Sequence, residues 1–109
     1  ESRAGFRVDP LEPGRVRITG GVRGWVNSSR GEHATIQVRP SSPGRITILI
    51  HDERGLRVRD LSRDALTGGT EVIGWDGRDS AGRPVPPGLY PILIEAPGVR
   101  VRDTLSVLR

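Results

Sequence analysis

Between Trp75 and Tyr90 the chain makes a sixteen-residue excursion with an aromatic residue at each end and almost nothing in between that favours helix or strand. Gly77, Gly82 and Gly88 can take positive φ, Asp76 and Asp79 can accept hydrogen bonds from backbone amides just ahead of them, and Pro84, Pro86 and Pro87 stiffen the return. The segment reads as a rigid connection between two β-strands, held to a core by Trp75 and Tyr90. Trp75, Asp76, Gly77, Asp79, Gly82, Gly88 and Tyr90 are therefore expected to be structural anchors. A scaffold or binding module follows from this more readily than an enzyme.

The rest of the chain carries a period of two. Ala34, Ile36 and Val38 alternate with Thr35, Gln37 and Arg39, and Ile46, Ile48 and Ile50 repeat the pattern after a Ser41-Ser42-Pro43-Gly44 turn. Such alternation places one set of side chains on a buried sheet face. Asp52-Glu53-Arg54-Gly55 forms a second turn before Leu56, Val58 and Leu61. Ser62 to Gly69 reads as a polar loop with Leu66 folded back over the core edge. Ile73 with Trp75, and Tyr90 with Ile92 and Ile94, give the inward positions of two more strands. Pro91, which has no amide to donate, suits an edge or an amide facing away from its neighbour. Pro97-Gly98 turns into a terminal strand from Val99 to Leu108. No segment keeps a helical period, and about seven short strands at regular spacing indicate an all-β sandwich. Residues 1–20 read as a leader or linker with room for one short strand, and residues 21–109 as the sandwich domain.

At 109 residues the chain is one domain, large enough to bury roughly two-thirds of its unfolded surface. The absence of cysteine excludes disulfides, thiolate nucleophiles and cysteine zinc sites. All 17 basic residues are arginine, yet 13 acids are interspersed and the formal charge is only +4. No apolar run approaches the roughly 18 to 20 residues that would cross a bilayer as a helix.

Three segments in order, Trp75-Asp76-Gly77-Arg78-Asp79, Gly82-Arg83-Pro84-Val85 and Gly88-Leu89-Tyr90, resemble the immunoglobulin-like domain of the bacterial flagellar hook-capping protein family, a domain also found at the C-termini of exported bacterial proteins. Gly31 to Ile36, Pro43 to Ile48 and Asp52 to Leu61 extend the resemblance from about Val22 to Arg109. Asn27-Ser28-Ser29-Arg30 departs from the turn that relatives carry there. The resemblance implies a non-enzymatic structural or assembly module with a protein partner, in an extracellular, cell-surface or periplasmic setting, with neither catalytic residues nor a cofactor to transfer.

The remaining candidates are weaker than their structural readings. Asp76 and Asp79 with Asp64 offer oxygen ligands for calcium, but lack the dense alternation of acids in a calcium loop and are read as turn-forming acceptors. His33 and His51 are too few for a metal site, and Ser28-Ser29 has no associated base. Asn27-Ser28-Ser29 matches the N-glycosylation pattern. Arg57/Arg59 and Arg100/Arg102, with Arg15/Arg17, are spaced by two and so point to one side of their strands. If those strands adjoin, they form a basic stripe for a polyanion, with Trp25 as the aromatic available for stacking. Otherwise they are a solvated face that discourages edge pairing.

Overall fold

The computed structural model describes residues 11–19, 25–27 and 31–108. The apolar candidates Phe6 and Val8, the Gly20-Gly21 segment with Val22, and Ser28 and Ser29 of the glycosylation pattern lie outside the described residues. So does the side chain of Trp25.

Eight strands are present among the described residues: β1 (Arg15–Thr19), β2 (Trp25–Asn27), β3 (Ala34–Arg39), β4 (Gly44–His51), β5 (Arg57–Ala65), β6 (Glu71–Trp75), β7 (Gly88–Ala96) and β8 (Val99–Leu108). They form two sheets, β1-β3-β6 and β2-β8-β7-β4-β5. Neighbours pair antiparallel except β2, which runs parallel to the C-terminal half of β8. This is an all-β sandwich of the immunoglobulin-like kind.

The alternating apolar residues meet between the sheets. Ile36, Val38, Ile46, Ile48, Ile50, Ile73, Trp75, Tyr90, Ile92 and Ile94 are all buried in one core with Ala34, Val99, Leu105 and Val107. Branched residues dominate it because their stiff side chains suit the pleated surface of a sheet. Val16 and Ile18 of β1 pack against the same core, opposite Val38 and Ile36 in register. Leu11 is buried as well.

Two features of β5 differ from expectation. The polar stretch from Ser62 is not a loop: β5 continues to Ala65, which is buried, and Leu66 projects into solvent at 84% exposure. The polar residues continue a strand because β5 is the edge of its sheet, where Arg45 holds Ser62 and Asp64 on the outer face. The register also shifts between Ile50 and His51, so that Arg59 faces Ile50 while Arg57 faces His51, with Val58 bulged between them. A bulge reverses the alternation locally. Arg57 and Arg59 accordingly do not share a face, Val58 is half-buried, and Leu56 is 58% exposed.

β7 is internal rather than an edge. Its ladder with β4 ends at Ile50↔Ile92, leaving Pro91 paired only with Thr104 of β8. The Pro97-Gly98 turn packs tightly on the neighbouring Ser41, whose amide and hydroxyl both donate to the Pro97 carbonyl, at 2.9 and 3.1 Å.

Candidate functional site

The excursion from Trp75 to Tyr90 is a small folded unit. The Gly77 carbonyl accepts from the Val85 amide at 2.9 Å, Arg78 bridges to Pro84, and the Asp79 amide donates to the Arg83 carbonyl at 2.8 Å. At its base the Trp75 indole Nε1–H donates to the Arg78 carbonyl at 3.0 Å. The indole meets the Tyr90 ring edge-on, with 5.9 Å between centroids. The Tyr90 hydroxyl donates to the Pro86 carbonyl and so ties down the proline-rich return. Asp76 Oδ1 accepts from the Arg78 amide at 3.0 Å, and Gly77 and Gly82 have φ of 76° and 83°, the left-handed region where a side chain would be strained. Gly88 opens β7, where a Cβ would stand 3.2 Å from Glu53 Oε1.

This unit has a twin across the same end of the sandwich. In the β4–β5 connection, Asp52 Oδ1 accepts from the amides of Arg54 and Leu56, at 2.9 and 3.0 Å, while the Asp52 amide donates to the Leu56 carbonyl. Asp79 Oδ1 accepts from Ala81 and Arg83 in the same pattern, at 3.0 and 2.9 Å. Gly55 and Gly82, each three residues after its aspartate, donate back to the aspartate carbonyl with positive φ. Amide donation holds both carboxyls below their ordinary pKa of 3.8: chiefly the Leu56 amide for Asp52 and the Arg83 amide for Asp79. The Arg54 and Arg83 side chains assist, and partial burial opposes. These carboxylates are occupied acceptors, suited to fixing backbone rather than to moving protons.

Between the two loops lies an open groove of about 370 Å³. Val58, Val85 and Tyr90 floor it, Pro84, Pro86, Pro87 and Leu89 form an apolar rim, and Asp52, Glu53 and Arg54 make the polar wall. Leu89 is 52% exposed. The Ser80 amide and hydroxyl both donate to the Val58 carbonyl, which locks the excursion to the start of β5 and covers that part of its edge. Rigid walls and an apolar rim with charges on one side suit a binding surface for a protein segment. Among the described residues no three His, Cys, Asp or Glu side chains gather as a metal site. Asp64 is instead paired with Arg45 at 3.1 Å, far along β5 from the loops.

The arginines selected from sequence do not form one stripe. Arg59 donates to Asp76 Oδ1 at 3.2 Å and to the Arg78 carbonyl at 3.1 Å. Arg100 faces Glu95 of β7, 3.7 Å away, and Arg102 lies opposite Leu93. Arg57, at the β5 edge, is separated from β8 by β4 and β7. Arg15 and Arg17 belong to the other sheet. Sequence reasoning did not single out Arg63, which with Arg59 points from the inner face of edge strand β5 across to β6. Arg63 donates to the Val72 carbonyl and lies 3.8 Å from Glu71. The two guanidiniums close the open flank of the sandwich. Their signal was an arginine at every fourth position of a strand whose other inner residues are apolar.

A family model described as the FlgD Ig-like domain matches residues 25–98. Among solved structures, the chain resembles FlgD from Xanthomonas campestris, described for hook capping essential for flagellar assembly, with a TM-score of 0.59 at 23% identity over 86% of this chain and 67% of that one. FlgD from P. aeruginosa gives 0.55 at 19% over 86% and 74%. PorZ of Porphyromonas gingivalis, described as an essential bacterial surface component of the type-IX secretion system, gives 0.58 at 17% identity, over 86% of this chain but only 11% of PorZ. At these identities the likeness establishes the fold. No curated protein matches the chain.

Proposed function

The chain belongs to the family of FlgD Ig-like domains, and from that premise we propose that it is a docking module of an exported bacterial assembly, engaging a protein partner through the groove between its two aspartate loops. The module itself is structural and related to hook-capping proteins. Membership in that family accords with an extracellular, cell-surface or periplasmic setting. The observation that supports the groove as the docking end is the pair of matched loops. Each is fixed by an aspartate accepting two backbone amides, and together they frame an apolar, proline-rimmed surface through internal hydrogen bonds. Preorganisation of this kind lowers the entropy lost on association.

Isolation of the full-length protein from its native membrane or secreted fraction tests the reading. The expected result is a stoichiometric protein complex that is retained by the wild type and lost on Leu89→Asp with Pro86→Asp, while Leu66→Asp, at the more exposed start of the β5–β6 loop, leaves it intact. A complex insensitive to the groove substitutions would overturn the groove as the docking end. Recovery of the protein only as a free monomer would overturn the assembly role.

A further inference from the structure

We infer that the outer edge of β1 is a second, independent docking site, built to accept an extended protein strand carrying acidic side chains two residues apart. The inference concerns the sheet opposite the groove-bearing β7 and does not depend on the groove.

Three arginines stand together on the outer face of the β1-β3-β6 sheet. Arg15 and Arg17 alternate outward along β1, both exposed, and Arg15 is paired directly with Arg39 of β3. Cross-strand partners have Cβ atoms about 4.5–5.5 Å apart, and like charges there are unfavourable. None of the three has a carboxylate partner among the described residues. Arg39 donates to two carbonyls, of Leu11 at 2.7 Å and Gly68 at 3.1 Å, which fixes its position and leaves its charge uncompensated. The other residues of this face opposite Arg17 and Thr19 are Gln37 and Thr35, so no acid lies between. Arg45, Arg83 and Arg100 are by contrast matched with Asp64, Asp79 and Glu95, while the described arginines that share this lack of a carboxylate, Arg57, Arg78 and Arg102, do not stand together on one sheet face.

Among the described residues the backbone edge beside this cluster also carries no neighbouring strand. Among the described residues β1 is a terminal strand of its sheet and pairs with β3 alone. The edges of β5 and β6 each carry a contact from outside the ladder, with Ser80 on the Val58 carbonyl of β5 and Arg63 on the Val72 carbonyl of β6. Along β1 only the Arg15 amide is engaged outside the ladder, by the Glu12 carbonyl, and Val16 to Thr19 are free of such plugs among the described residues. A strand added here would satisfy the exposed edge groups, and its outward side chains would fall opposite Arg15 and Arg17. Two-residue spacing is the repeat of an extended chain, so a glutamate or aspartate at every second position matches both guanidiniums at once. Among the described residues no exposed aromatic stands at the cluster, which favours this over nucleic acid, which uses stacking platforms.

The test titrates the 109-residue chain with a nine-residue peptide alternating glutamate and threonine, followed by backbone amide shifts in NMR. Expected are saturable shifts centred on Val16–Thr19, with affinity falling about tenfold from 0.05 to 0.3 M salt. Arg15→Glu with Arg17→Glu should weaken binding at least about tenfold. The milder Arg15→Gln with Arg17→Gln keeps the test valid if charge reversal perturbs folding. A peptide of the same composition with its glutamates consecutive, or one N-methylated on the edge-facing amides, should bind much more weakly. Equal binding of either control peptide would overturn the strand geometry, as would tighter binding of heparin or a single-stranded oligonucleotide at the same residues. Absence of any shift at millimolar peptide would overturn the site.

Discussion

Replacing Trp75 by alanine removes the anchor that joins the excursion to the core, and the structure sets the size of the effect. The side chain is fully buried, packs edge-on against Tyr90 and donates its indole N–H to the Arg78 carbonyl. Truncation forfeits the transfer free energy of the ring, leaves a cavity between two sheets that cannot easily collapse, and removes one of the two donors to the Arg78 carbonyl, the other being Arg59. Large aromatic truncations of this kind cost about 3–5 kcal/mol. A domain of this size has roughly 5–15 kcal/mol of stability in all, so the loss is a large fraction of it. With an m-value of about 1.5 kcal/mol/M, the urea midpoint followed by far-ultraviolet circular dichroism should fall by roughly 2–3 M. Trp75→Phe keeps the aromatic contact with Tyr90 but not the hydrogen bond, and should lose roughly 1–2 kcal/mol. A loss below about 1 kcal/mol for the alanine variant would refute the anchor role, because no fully buried tryptophan at the base of a rigid loop is removed so cheaply.

Other outcomes follow from the same geometry. Asp52 and Asp79 both titrate lower in the fold than in the unfolded chain, so their contribution is in place above pH 3.8 and is lost as pH falls through the depressed folded values. Urea midpoints measured from pH 6 down to pH 2 should drop in that acid window, and should drop less in the Asp52→Asn/Asp79→Asn variant. Arg59→Ala should cost roughly 1–2 kcal/mol, since it strips a charge-assisted bond from Asp76 and another from the Arg78 carbonyl. Arg100→Ala, on an exposed face, should stay within about 0.5 kcal/mol by the same unfolding assay. Gly98→Ala should destabilise by more than about 1 kcal/mol, because φ is +73° and a Cβ would stand 2.8 Å from Ser41 Cβ. Thermal melting of that variant would read the loss directly.

The core was legible because its signal is periodic: isoleucine at 36, 46, 48, 50, 73, 92 and 94 can share a buried face only in strands. The anchors Trp75 and Tyr90 were legible from the turn chemistry between them. What could not be read was the behaviour of β5. Its polar outer residues gain their partners from β4, and its inner arginines gain theirs from β6 and the turn that follows it, across a sheet-to-sheet distance that no local pattern encodes. The bulge at Val58 then turned an apparent Arg57/Arg59 pair into one exposed arginine and one structural strut. The groove sat in the sequence in a form easy to overlook. Asp52 to Gly55 and Asp79 to Gly82 share the same aspartate-to-glycine spacing, but only the fold brings the two loops to one end.

Hydrogen–deuterium exchange of the full-length protein, free and within its native assembly, tests the docking account most directly. The account predicts new protection in the assembly at Arg54–Leu56 and Ala81–Tyr90, whose amides line or support the groove, against unchanged exchange at the exposed Leu66–Gly69 loop. Unchanged exchange throughout both aspartate loops, in an assembly verified to be intact, would contradict it.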